Sequence, residues 1–182
     1  MDTPRPWTQL ASTRLVDHPW LRLRADRVRL PSGHVLDEYH VVEAPDWACV
    51  LALTDAGDAV LVEQHRYALG QTSLELPAGA LDAGETPEVG ARRELHEETG
   101  YRAGGMVALG ALAPEPGRQT NVGHVFVATG CHKVAKPDPE ASEDLRVRVV
   151  PAASLAGLVE EGRIVHAVHA AAVFWALARG VL

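Results

Sequence analysis

The chain is 182 residues long, enough for one well-buried domain and short for two. Its 47% hydrophobic and 23% charged residues are those of an ordinary globular protein. A net charge of −7 argues against a general nucleic-acid binder, which carries a basic stripe. It does not exclude a phosphate-bearing substrate, because a bound divalent cation reverses the sign of the local field.

The opening stretch, MDTPRPWTQLASTRL, holds no apolar core of signal-peptide length. Nowhere does the chain approach the run of about 20 apolar residues that a membrane span needs. A cytoplasmic protein with neither membrane nor nucleic-acid contact is expected. From Trp20 to Val42, alternation at Leu21, Leu23, Val28, Leu30 and Val35 predicts N-terminal antiparallel strands, turned by Pro31-Ser32-Gly33. The segment ACVLALTDAGDAVLVEQHRY predicts a hairpin, its two apolar runs flanking the turn-forming Asp55-Ala56-Gly57-Asp58. SLELPAGAL reads as a short strand ended by Pro77 and Gly79. Cys49 and Cys131, without any CxxC spacing, suit reduced and buried thiols.

From Pro87 to Thr99 the period becomes helical. Pro87 suits the first helical position, Glu85 and Glu88 suit the positive N-terminal end, and Gly100 suits the C-terminal cap. MVALGALAPEPG and VGHVFVATGCHKV return to strand, KPDPEASED is a polar loop, and LRVRVVP alternates as a strand. AASLAGLVEEG and VHAVHAAAVFWALARG then read as helices, the last with a broad apolar face. Strands, one helix, strands and two helices make an α+β domain with a mixed sheet.

On the first helix, Glu94 and Glu98 share one face a turn apart, Glu97 lies beside them, and Arg93 stands four before Glu97. Such an oxygen-rich patch suits Mg²⁺ or Mn²⁺, hard cations that prefer carboxylate and water. Gly79 and Gly84 let the backbone turn tightly upstream, where a loop carbonyl can join the coordination. An Arg/Glu-rich helix is by composition more often a solvated face with weak pairs. The spacing decides between the two: Gly79, five residues, Glu85, seven residues, then Arg93-Glu94-Leu95-His96-Glu97-Glu98-Thr99-Gly100. Position for position this resembles the Nudix box, with Tyr101 at the place of the usual aliphatic residue.

The resemblance extends to the ADP-ribose pyrophosphatase and nucleoside diphosphate sugar hydrolase branch. EQHRY, LELPAG before the box, Pro116 sixteen residues after Gly100, and SEDLRVRVVP followed by LVEEGRI are similar to it. After Pro116-Gly117, where that branch often has an acidic residue, this chain reads Arg118-Gln119-Thr120-Asn121. The resemblance implies an α/β/α sandwich and a metal-dependent diphosphatase acting on ADP-ribose or a related nucleoside diphosphate sugar. It implies one Nudix hydrolase domain over residues 1–182, with residues 1–43 as strands forming a dimer arm and 44–182 as the catalytic core. A homodimer and a small-molecule nucleotide substrate go with it.

Carried over residue by residue, Glu94, Glu97, Glu98 and the carbonyl of Ala78 would hold the metal. Glu85 would orient Arg93, itself counted with the catalytic residues. Arg66, Glu75 and Pro116 match substrate-contacting positions. The general base would come from the acidic loop, with Glu143 ahead of Glu140 because it adjoins the following strand, and Glu97 in reserve. Two other readings stand: a dinucleoside polyphosphate or modified-nucleotide hydrolase, and a non-catalytic ADP-ribose sensor, against which the intact box carboxylates argue. His166 and His169 lack a third zinc ligand at suitable spacing, so packing or surface roles are expected for them. Trp7, Trp20 and Trp47 are read as core or interface residues ahead of base-stacking ones.

Overall fold

Two apolar clusters, one on each face of a mixed sheet, dictate the architecture around the box helix. The computed structural model describes residues 3–19, 21–138 and 143–182. Trp20, the start of the predicted strand pair, and Glu140 lie outside the described residues. In chain order the elements are β1 (Thr8–His18), β2 (Leu21–Arg29), β3 (Val35–Glu43), β4 (Trp47–Leu53), β5 (Asp58–Arg66), β6 (Gln71–Glu75) and β7 (Ala78–Ala80). Then come α1 (Pro87–Thr99), β8 (Tyr101–Arg102), β9 (Gly105–Leu112), β10 (Gly123–Thr129), β11 (His132–Lys133), β12 (Leu145–Pro151), α2 (Leu155–Glu160) and α3 (Ala167–Ala178).

The chain separates into two compact units: the residues up to Pro45 with Ala113–Asn121, and Asp46–Leu112 with Val122–Leu182. In the first, β1, β2 and β3 form an antiparallel sheet in that order. β1 is an addition to the strands expected from sequence. Its residues are almost all exposed, so it lacks the apolar alternation that marks a strand. The segment after β9 rejoins this unit through the backbone: Val42 N–H donates to Arg118 O (2.8 Å) and Thr120 N–H to Val42 O (3.2 Å).

The second unit is built on a seven-stranded sheet with the central order β12-β5-β4-β10-β9, β6 pairing with β5 and β7 with β4. The β4–β10 pair is parallel and the others antiparallel, the mixed sheet expected. Ala48 through Ala52 in β4 are wholly buried, as a continuous apolar run requires of a strand covered on both faces. Cys49 and Leu51 point to one cluster with Leu155, Val168, Ala172 and Val173 of the C-terminal helices. Ala48, Val50 and Ala52 point to the other, with Ala91 and Leu95 of α1. Helix, sheet and helices thus form the α/β/α layers. Burial pushes the Cys49 thiol up to about 12 and Cys131 up to about 11, so both are inert free thiols. No helix among the described residues is long and apolar enough to cross a membrane.

Candidate active site

α1 begins after Thr86, with Pro87 in its first turn, and stops at Gly100 in the left-handed conformation (φ +74°). Ala91 and Leu95 fasten it to the sheet. Those anchors leave Glu94 and Glu98 facing β7, both buried. The Ala78 N–H donates to Glu98 Oε2 (2.9 Å). Gly79 pairs with Ala48 of β4, and a Cβ built on it would overlap the Glu94 carboxylate. The sequence suggested a turning role for this glycine. The structure places it in a strand, without positive φ, and its requirement is space for a carboxylate. Gly84 is the one that turns, at φ +83°.

Arg93 ties the cluster together. Its Nε and Nη2 donate to the two oxygens of Glu85 (both 3.0 Å), and Nη2 also to Ala80 O (2.9 Å). Its Nη1 donates to Glu94 Oε1 (2.7 Å) and Glu97 Oε2 (3.0 Å). Glu85 also accepts from Asp82 N–H (3.0 Å), which fixes the loop before the helix. Arg93, with the Asp82 N–H, holds the Glu85 carboxyl below the ordinary range, and Glu85 first among its partners raises Arg93. One guanidinium thus fastens three carboxylates and a strand carbonyl.

Burial pushes Glu98 up to about 8, with Glu94 and Glu143 adding to it and the Ala78 N–H and Arg66 opposing. Burial raises Glu94 too, against the pull of Arg93. Two buried carboxylates whose charged forms are disfavoured fit a divalent cation, which would offset that penalty. Among the described residues no three His, Cys, Asp or Glu side chains are grouped closely enough for a metal. Glu94 and Glu97 here both turn an oxygen to Arg93.

Beside Glu98 opens a cavity of about 400 Å³, lined by Arg66, Tyr67, Ala78, Glu98, Glu143 and Asp144 among others. Arg66 enters at the end of β5 and makes a two-pronged bond to Glu75 of β6, Nε to Oε1 at 2.8 Å and Nη2 to Oε2 at 2.5 Å. The hairpin register puts Arg66 opposite Gln71 and Glu75 opposite Val62, four residues from Arg66 on the same face, so the long Arg66 side chain reaches back along that face to Glu75. So Arg66, Glu75, Ala78, Glu94, Glu98 and Glu143 belong to one unit, with Arg93 and Glu97 on α1 and Glu85 in the loop before it. Pro116 lies in the other unit, in an exposed turn where Arg118 and Gln119 N–H groups donate to Glu115 O.

Two features escaped the sequence. Tyr67, 93% exposed in a 3₁₀ turn at the cavity, carried no signal beyond following Arg66. Where Trp47, His166 and His169 pack, His169 reaches toward Glu75. Only the register of distant strands against α3 makes that visible.

Comparison with known proteins agrees with this geometry. The NUDIX domain family matches residues 44–170, and the nucleoside diphosphate sugar hydrolase N-terminal domain matches residues 7–42. An ADP-ribose pyrophosphatase of Mycobacterium tuberculosis is 37% identical over 153 residues, covering 83% of this chain and 73% of that protein. One of Bacillus subtilis is 37% identical over 142 residues, covering 78% and 73%. The crystal structure of an ADP compounds hydrolase shares the fold over 100% of both chains, with a TM-score of 0.84 at 19% identity. With the box helix, the mixed sheet and a match over residues 44–170, the chain belongs to the NUDIX family.

Proposed function

We propose that the protein hydrolyses the diphosphate bond of ADP-ribose or a related nucleoside diphosphate sugar, giving a nucleoside monophosphate and a sugar phosphate. One observation carries this reading: a single cavity holds the cation Arg66 beside the buried Glu98 and the loop carboxylate Glu143. An anion receptor there adjoins carboxylates suited to a divalent metal. The two relatives named as ADP-ribose pyrophosphatases, each similar over more than three quarters of this chain, support the substrate class.

Glu94, Glu97, Glu98 and the Ala78 carbonyl would hold Mg²⁺, with Mn²⁺ as the alternative. A cation held by these residues would supply charge neutralisation on the diphosphate and activation of the attacking water. Arg93, anchored by Glu85, holds one oxygen each of Glu94 and Glu97, and a bound metal would draw these carboxylates together from that arrangement. Arg66, backed by Glu75, binds phosphate oxygens. Glu143 takes the proton from the attacking water as one bridging P–O bond breaks. Glu140, the alternative base, lies outside the described residues.

The partner reading is a second copy of this chain. β1 is an 11-residue strand at the edge of its sheet, with Leu15 and Val16 exposed on it, and an unpaired strand edge calls for a cover. Two buried free thiols suit a reducing compartment, the cytoplasm.

A panel of nucleotides incubated with Mg²⁺ and with Mn²⁺, its products resolved by chromatography, tests the reaction. ADP-ribose is expected to yield AMP and ribose 5-phosphate. Turnover of dinucleoside polyphosphates alone, or of nothing in the panel, overturns the assignment.

A further inference from the structure

The clearest break in hydrogen-bond accounting outside the carboxylate cluster lies under α3. His169 is 1% exposed, and both of its ring nitrogens are buried without a hydrogen-bond partner among the described residues. Buried polar atoms are paired in about nine cases of ten or more, and each exception asks for a reason. The ring stacks on His166 with centroids 4.1 Å apart and planes 21° apart. The edge of Trp47 closes on both rings, at 5.2 and 5.8 Å. The stack fixes the imidazole plane and turns Nδ1 toward Glu75, whose Oε2 is 4.0 Å away. That is one step outside hydrogen-bond range.

Glu75 is itself 1% exposed. Arg66 takes up both of its oxygens, yet a carboxylate has about four lone-pair sites and can accept from another donor. Burial, with His166 and Arg66 adding to it, holds His169 well below the usual imidazole range. The ring is therefore neutral, with one N–H and one lone pair. A carboxylate facing Nδ1 favours the hydrogen on that nitrogen.

We propose that His169 is a positioning residue for substrate, a reserve donor whose Nδ1–H closes onto Glu75 Oε2 when Arg66 turns a nitrogen from that oxygen to a nucleoside diphosphate. This rests on the reading that Arg66 binds the diphosphate. A buried carboxylate that loses a donor is left partly unsatisfied. His169 supplies the replacement, so Arg66 reaches the phosphate without stranding Glu75. The approach of Nδ1 to within 4.0 Å of Oε2 is then the starting position of a hydrogen bond made on binding.

The test compares His169→Leu, which removes the donor and keeps apolar bulk, with His169→Gln, which keeps an N–H. Both are checked for folding by circular dichroism. His169→Leu is expected to raise KM for ADP-ribose about tenfold with kcat within about twofold, and His169→Gln to recover most of the loss. In an Arg66→Ala background the leucine change is expected to add less than about twofold, because the two residues act on one path. A full additional loss in that background, or equal impairment by glutamine, overturns the proposal and makes His169 a packing residue. Should the leucine variant fail to fold, ¹⁵N–¹H spectra of the unaltered histidines decide. An Nδ1–H tautomer whose proton moves downfield with the α,β-methylene analogue of ADP-ribose supports the proposal, and an Nε2–H tautomer overturns it. Failure of the functional reading shows separately, as wild-type protein without turnover of any nucleoside diphosphate sugar.

Discussion

Glu98 is 2% exposed and Glu94 nearly as buried, at positions where water would lower the energy of the charge. Their placement is tolerable because each has a donor: the Ala78 N–H for Glu98 and Arg93 for Glu94. Glu98→Gln keeps the shape and removes the charge. The expected loss is about 4 kcal/mol of transition-state stabilisation, roughly a thousandfold in kcat, with an unchanged circular dichroism spectrum. Near-normal turnover at saturating Mg²⁺ would remove Glu98 from the site. Gly79→Ala probes the same carboxylates from the strand. Its new methyl would meet the flexible end of Glu94, so the side chain moves while the backbone holds. Activity is expected to fall about 10–100-fold as Glu94 is displaced, with a melting point within a few degrees of the parent. A variant that unfolds instead would mean that Glu94 cannot yield.

At the scale of elements, α1 ends where the sequence says it should, and the reason can be tested. Gly100 combines two demands: φ of +74° and a Cβ position that would overlap the backbone carbonyl of Ala135. Gly57 has φ of +82° with nothing near its Cβ position. Gly57→Ala is expected to cost about 1 kcal/mol, the left-handed strain alone. Gly100→Ala should cost at least about twice that, since backbone must also shift. Denaturant midpoints separate the two, and equal losses would show that the Ala135 segment gives way freely. The short β7 is the opposite case. Ala-Gly-Ala has poor strand propensity, and it is a strand because β4 offers Trp47, Ala48 and Cys49 as backbone partners.

For the molecule as a whole, the buried His169 and the half-buried His166 make acid stability readable. Burial lowers both His166 and His169 below the ordinary value near 6.5. The unfolded chain therefore binds more protons below that pH, so their contribution is complete above 6.5 and lost as the pH falls below it. Glu98, pushed up to about 8, works in the other sense: its contribution grows as the pH falls from 8 toward 4.5. A difference between variants isolates the histidine. Between pH 7.5 and 5.5 the parent should lose up to about 1.4 kcal/mol more than His169→Leu, by urea titration without metal. Equal losses would mean that His169 titrates normally. The two-fold assembly is checked by light scattering, where a mass of about 39 kDa is expected from two chains of 19.5 kDa. A monomer at assay concentration would rule it out.

What the sequence determined by itself was local chemistry repeated at fixed spacing. Pro87 and Gly100 bound a helix because one lacks an amide hydrogen and the other tolerates positive φ. The spacing Arg93, Glu94, Glu97, Glu98 names one helix end, and the apolar runs of β4 and β5 name a buried hairpin. What only the tertiary structure decided depends on pairing between distant segments. β1 is exposed and carries no pattern. Ala113–Asn121 returns to the N-terminal strands through backbone hydrogen bonds, which no side chain announces. Gly79 needs space because α1 crosses β7 at Glu94. His169 faces Glu75 only once α3 has packed on the sheet. Backbone pairing and close approach leave almost no signature in side-chain order, so they appear only when the chain has folded.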